Sequence, residues 1–161
     1  MKMIVALISS AFLFVSAQTS LGNWIRQDLD DPFVDEERIV LAIGERGERY
    51  SGEGPLFAVL CEDRLADVVY FNVNRVLSNG EVREFDYRVN GGDIQTLEGW
   101  TDQGFVSLRT GEDDFAKFKE DVLVDGAEIA IAATSTNGGR IVTVFKLAGL
   151  DSALENVGCV K

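Results

Sequence analysis

Over much of the chain, apolar and polar residues alternate with a period of two, the mark of strands with one buried face. Arg38–Ile43 is β-branched and apolar, and Leu56–Cys61, after Pro55, is a run long enough for a buried strand. Val68–Val73 sets Val69, Phe71 and Val73 on one face. Glu81–Val89 alternates most regularly: Val82, Glu84, Asp86 and Arg88 share one side, with Arg83, Phe85, Tyr87 and Val89 on the other. The apolar Phe85, Tyr87 and Val89 mark that second side as inward. Phe105–Leu108 adds a short strand. Glu128–Thr134 and Ile141–Leu147 form a hairpin in which Ile141, Thr143, Phe145 and Leu147 share a face. Turn signals punctuate these runs at Ser78-Asn79-Gly80, Asn90-Gly91-Gly92-Asp93 and Asn137-Gly138-Gly139.

The period changes to that of a helix over Asp113–Leu123, where Phe115, Phe118 and Val122 stand at i, i+3 and i+7 and Lys117 and Glu120 face away. Thr110–Asp113 is a start signal and Gly126 a stop. The aromatic stripe reads as core rather than as a ligand platform. Ser152 and Glu155 have capping-box spacing and predict a short terminal helix before Cys159. The fold class expected is α+β and mainly β: an antiparallel sheet or β-sandwich of about seven or eight short strands with one medium and one short helix.

The first seventeen residues change the picture of where this domain works. Lys2 precedes an apolar stretch, Ile4–Val15, and Val15-Ser16-Ala17 offers a signal-peptidase site, so cleavage is expected before Gln18. The competing reading is a membrane anchor, but Ile4–Ala17 is 14 residues, against roughly 20 for a spanning helix. No cysteine follows the site for lipid attachment. The organisation expected is a signal peptide at 1–17, an acidic lead-in at 18–37 and a single globular domain at 38–161. Removing residues 1–17, whose one charge is Lys2, leaves 144 residues and lowers the net charge from −12 to −13. No integral membrane segment is expected after cleavage, and the localisation expected is the periplasm or the exterior.

Cysteine usage agrees with export. The two cysteines, Cys61 and Cys159, each beside apolar residues, predict one disulfide. Such a bridge closes a loop of about 100 residues and stabilises a fold by ~2–4 kcal/mol. The rival role, a reactive thiol, lacks a histidine or CxxC partner to lower its pKa.

The chain has 161 residues, 46% hydrophobic and 26% charged, which suits one domain with a sizeable core. Its 27 acidic and 15 basic residues repel phosphate backbones and anionic lipid heads, so no nucleic-acid partner is expected. There is no histidine, which excludes Ser-His-Asp and Cys-His catalysis and imidazole-built zinc sites. The acids around Asp28–Glu37 invite a calcium-loop reading, yet an EF-hand begun at Asp28 needs Gly and Glu where Phe33 and Ile39 stand. Gly44–Gly47 and Gly52–Gly54 are flanked by acids that repel phosphate and read as turns. No cofactor, metal site or catalytic residue is assigned.

Chemistry, if present, would fall to carboxylate pairs such as Asp93 with Glu98 or Glu112 with Asp113, working as acid and base on a cell-wall glycan. No GxSxG, SxxK or phosphate-loop frame accompanies them. Tyr87, Arg88 and Trp100 are the candidate binding residues, Arg for a partner carboxylate and Trp for a contact anchor. The plainer fate for Arg88 is an ion pair with Glu84 or Asp86 on its own face.

The order of these features resembles a known family. Asp31-Pro32 and Asp35 precede a β-branched strand, and Cys61 lies in an apolar run. Val68-Val69-Tyr70, Val82, Tyr87-Arg88 and Trp100 follow. The chain closes on Phe145, Leu147, Gly149, Leu150, Ala153 and Cys159. This pattern, over Asp31–Cys159, is similar to the VasI/TagO-like periplasmic accessory proteins of bacterial type VI secretion. Asn90 departs from it, standing where that family carries an acid. The resemblance implies a periplasmic, non-enzymatic accessory function with secretion-apparatus components as partners in the cell envelope, and Asn90 removes support for transferring a family role to this hairpin. The residues themselves suggest that such a module meets its partner by an edge strand or by the Tyr87–Arg88–Trp100 region. The alternatives are the carboxylate-dependent glycan hydrolase and an invasion-associated or inhibitor-like exported domain.

Overall fold

In the computed structural model, the period-two segments become strands of one antiparallel sheet. The structure describes residues 21–29, 37–73, 81–102, 105–109, 113–135 and 137–161. Among them are nine strands: β1 (Ile25–Asp28), β2 (Arg38–Gly44), β3 (Leu56–Glu62), β4 (Leu65–Asn72), β5 (Glu81–Val89), β6 (Gln95–Asp102), β7 (Phe105–Arg109), β8 (Glu128–Thr134) and β9 (Arg140–Lys146). Two helices, α1 (Asp113–Val122) and α2 (Leu150–Asn156), and a 3₁₀ turn at Glu45–Gly47 complete the fold. The expected leader, the acids at 30–36, the Ser78-Asn79-Gly80 turn and residues 110–112 of the helix-start signal lie outside the described residues.

Strand order is β1-β2-β3-β4-β7-β6-β5-β8-β9, with every pair antiparallel. The sheet has a four-stranded and a five-stranded half, joined by the pairing of β4 with β7. Their inner faces meet. The Phe57 ring of β3 lies 5.7 Å from that of Phe145 on β9, and Phe71 of β4 lies 4.9 Å from Phe85 on β5. Neither pair is on neighbouring strands, so these contacts cross the interior as in a sandwich. The expected fold class is therefore what the chain adopts.

Two strands carry too little apolar pattern to be read in advance. β1 is polar and mostly exposed; backbone pairing with β2 holds it, and the preceding Trp24, fully buried, anchors it. The Trp24 indole N–H donates to the Ala148 carbonyl at 3.0 Å, so part of the expected acidic lead-in belongs to the core. In β6 the inward positions are Leu97, Gly99 and Thr101, of which one is a large apolar residue.

α1 forms where the Phe stripe predicts it. Phe118 packs edge-on against Tyr87 at 4.7 Å and Phe85 at 6.1 Å, while Lys119 donates to the Ala66 carbonyl at 2.9 Å. The helix thus bridges both halves of the sheet. α2 begins two residues before the predicted capping box. Its N-cap is Gly149, at φ 79° and without a side-chain cap, and Ser152 and Glu155 fall inside the helix. Burial of Leu150, Ala153 and Leu154 sets its start in place of a hydroxyl cap.

Cys61 and Cys159 are bonded, with Cα atoms 6.0 Å apart. Beside the bond, Val160 donates to the Arg64 carbonyl and accepts from the Ala66 N–H, both at 2.8 Å, so the chain end is stitched to the start of β4. A disulfide of this kind is the chemistry of an oxidising compartment.

Replacing both cysteines by serine is expected to lower unfolding free energy by ~2–4 kcal/mol. Guanidinium unfolding of wild type and double variant, with and without reductant, measures this. Reductant should shift the wild type alone, and coincident midpoints for the two oxidised proteins would refute the assignment.

Candidate binding surface

Alternation along β5 separates the residues that sequence reasoning grouped. Tyr87 is buried on the inner face, where its hydroxyl donates to Asp121 Oδ2 at 3.1 Å. Asp121 is held in turn by Lys117 one helical turn away. Tyr87 is thus a strut between β5 and α1. Arg88, the next residue, points to the opposite, outer face and is exposed. The expected pairing of Arg88 with Glu84 or Asp86 does not form. Asp86 instead accepts from the Thr96 hydroxyl at 2.8 Å and meets Arg140 at 3.5 Å. The Arg88 guanidinium makes no ion pair among the described residues.

Trp100 lies on the same outer face, in register with Val82 across β5 and β6. Both are large and about half exposed, at 51% and 54%. Six positions of β5 separate Val82 from Arg88, or about 20 Å at ~3.3 Å per residue. Arg88 and Trp100 therefore belong to one face without forming one cluster. Between them the register sets Glu84 opposite Glu98.

A groove follows β8 across this face. The outward residues of β8 include Ala130 and Ala132, in register with Arg88 and Asp86 on one side and with Val144 and Val142 on the other. Two alanines between longer side chains leave a hollow of about 300 Å³, with Arg88, Ile94, Arg140 and Val142 around its rim. A smaller hollow of about 140 Å³ adjoins it, lined by Glu84, Thr96 and Thr134. Asp86, Ala132 and Arg140 line both.

Arg140 starts β9 and Asp86 is on β5, so their contact spans two strand spacings, about 9.6 Å. A long guanidinium arm can cross because Ala132 ends at Cβ beneath it. The pair is exposed and long, the kind worth ~0–1 kcal/mol.

The carboxylates considered for catalysis are not gathered by this face. Asp93 sits in the turn before β6 and Glu98 points outward from that strand, while Glu112 is outside the described residues. No group of three or more metal-ligating side chains occurs among the described residues, and no described helix is long and apolar enough to cross a membrane.

Sequence reasoning missed Ile94, Ala130, Ala132, Arg140 and Val142. A signal for the floor was present: in Glu128–Thr134 the two outward positions that follow Ile129 and Ile131, 130 and 132, are both alanine. Compared with known proteins, the chain matches no family model, no curated protein and no solved structure.

Tyr87→Phe is expected to cost about 1–2 kcal/mol, the loss of one hydrogen bond to a carboxylate, without changing partner capture by the outer face. Urea unfolding alongside a capture assay checks both. Equal stability would remove the strut role, and lost capture would return Tyr87 to the binding surface.

Proposed function

We propose that the protein is an exported, non-enzymatic binding module of the cell envelope, an accessory to a type VI-like secretion apparatus. In this reading, its outer β5-β6-β8-β9 face meets a protein partner. The observation that carries the reading is the character of that face. Trp100, Val82, Ile94 and Val142 are each more than half exposed. Arg88 stands beside Ile94 and Val142 without an acid partner among the described residues, while Trp100 and Val82 form a second apolar pair about 20 Å along the same face. Exposed apolar residues beside Trp and Arg are the composition of contact anchors, whereas an ordinary surface scatters them singly. The disulfide supports export, and the secretion-linked role rests on the resemblance of Asp31–Cys159 to the VasI/TagO-like proteins alone.

The fold leaves a second mode of contact at its edges. Among the described strands, β1 and β9 each have one unpaired side. At its Lys146 end β9 is covered, because a Cβ on Gly47 would stand 2.9 Å from the Lys146 carbonyl. The length of β9 from Arg140 to Val144 is the edge better suited to strand addition.

A photocrosslinking residue in place of the exposed Glu98 tests the reading in cells. Capture of a secretion-apparatus component is expected, and it should be lost in an Arg88→Ala, Trp100→Ala double variant that keeps its disulfide and expression level. Each substitution is expected to cost about 2 kcal/mol of binding, or ~30-fold. Absence of a specific adduct, or an adduct indifferent to the double variant, would overturn it. Turnover of purified peptidoglycan, abolished by one Asp or Glu substitution, would install the hydrolase reading in its place.

A further inference from the structure

We infer that the alanine-floored groove receives a peptide segment carrying one carboxylate next to a branched apolar side chain. This deepens the proposed function and rests on the outer face being a protein-binding surface. The charges lining the groove are Arg88, Arg140 and Asp86, a positive balance in a chain whose net charge is −12. That local inversion is charge complementarity for an acid.

The contacts define how the acid is taken. Asp86 already accepts the Thr96 hydroxyl at 2.8 Å, and its contact with Arg140 is exposed and 3.5 Å long. When Arg140 turns to an incoming carboxylate, Asp86 keeps a partner and little energy is lost. Arg88 has no acid partner to surrender among the described residues. A carboxylate over the floor is thus reached from both sides by guanidinium forks, whose planar donors match its two oxygens.

The remaining surroundings set specificity. Ala130 and Ala132 give an apolar floor, and the exposed Ile94 and Val142 form two apolar rims against which a Val, Ile or Leu side chain packs. Beyond Asp86 the same face carries Glu84 and Glu98, which repel a run of acids. The segment recognised therefore holds a single carboxylate rather than an acidic tract.

Backbone-amide NMR titration of the purified, disulfide-bonded protein tests this with two probes, acetyl-Ser-Val-Asp-Val-Ser-amide and its Asp→Asn counterpart. The Asp peptide should shift the amides of Arg88, Ala130, Ala132 and Val142, with affinity falling as salt rises. The Asn peptide should bind about tenfold more weakly, the loss of charge-assisted hydrogen bonds. Arg88→Gln should weaken the Asp peptide by a similar factor, and Ala132→Leu should block it while leaving the rest of the spectrum in place. Equal binding of both peptides, shifts elsewhere, or indifference to Arg88→Gln would overturn the inference. So would saturation of the same amides by acetate alone, or concentration-dependent shifts without peptide, which would identify a small acid or a second copy as the occupant. If these fail while the Glu98 crosslink persists, the binding-module reading stands and the carboxylate specificity falls; loss of the crosslink removes both.

Discussion

A sheet of nine strands with one strongly apolar face leaves that face in water unless the sheet turns back on itself. Here it does, and Phe57 meets Phe145 while Phe71 meets Phe85 across the interior. The closure is fastened from several directions. Trp24 hydrogen-bonds across to Ala148, Asn23 donates to the Gly47 carbonyl at 2.8 Å, and Gly47 abuts Lys146 too closely for a Cβ. The Cys61–Cys159 bond adds a covalent tie between β3 and the chain end. Most of these groups are on segments remote in sequence, so their ordering costs loop-closure entropy that burial of the aromatic core has to exceed.

Closure also decides which residues are available for recognition. Once Phe85 and Tyr87 face inward, period-two geometry sends Asp86 and Arg88 outward, whatever their neighbours in sequence are doing. The outer face then becomes a sheet surface on which side-chain length alone makes relief. Alanines at 130 and 132 form a valley, and Arg140 crosses it to Asp86. The same substitution of large for small that would damage the inner face would fill this valley at little cost in stability, since Ala130 and Ala132 are half buried.

Legibility in the sequence followed the strength of the periodic signal. Phe85, Tyr87, Phe115, Phe118 and Val122 were readable as core from spacing, and all are buried. β1 was not, because an edge strand held by backbone bonds carries no apolar stripe. The start of α2 was misplaced because a capping-box pattern is local, while the helix is seated by Leu150 reaching the core. The alternation already set Tyr87 inward and Arg88 outward, so Tyr87 was separable from Arg88 and Trp100 as a binding residue before the tertiary structure showed its contact with Asp121.

By itself, the sequence determined what depends on short-range physics. Alternation specified strands, the Phe spacing specified α1, cysteine parity specified the bridge, and the absence of histidine removed whole classes of catalysis. Tertiary structure alone decided which strands neighbour one another and where Trp24 is buried. It also decided which cations and alanines share the outer face. These depend on pairings between segments many residues apart, such as Asp86 with Ala132 and Arg140, and one strand's pattern contains no term for its neighbour's register.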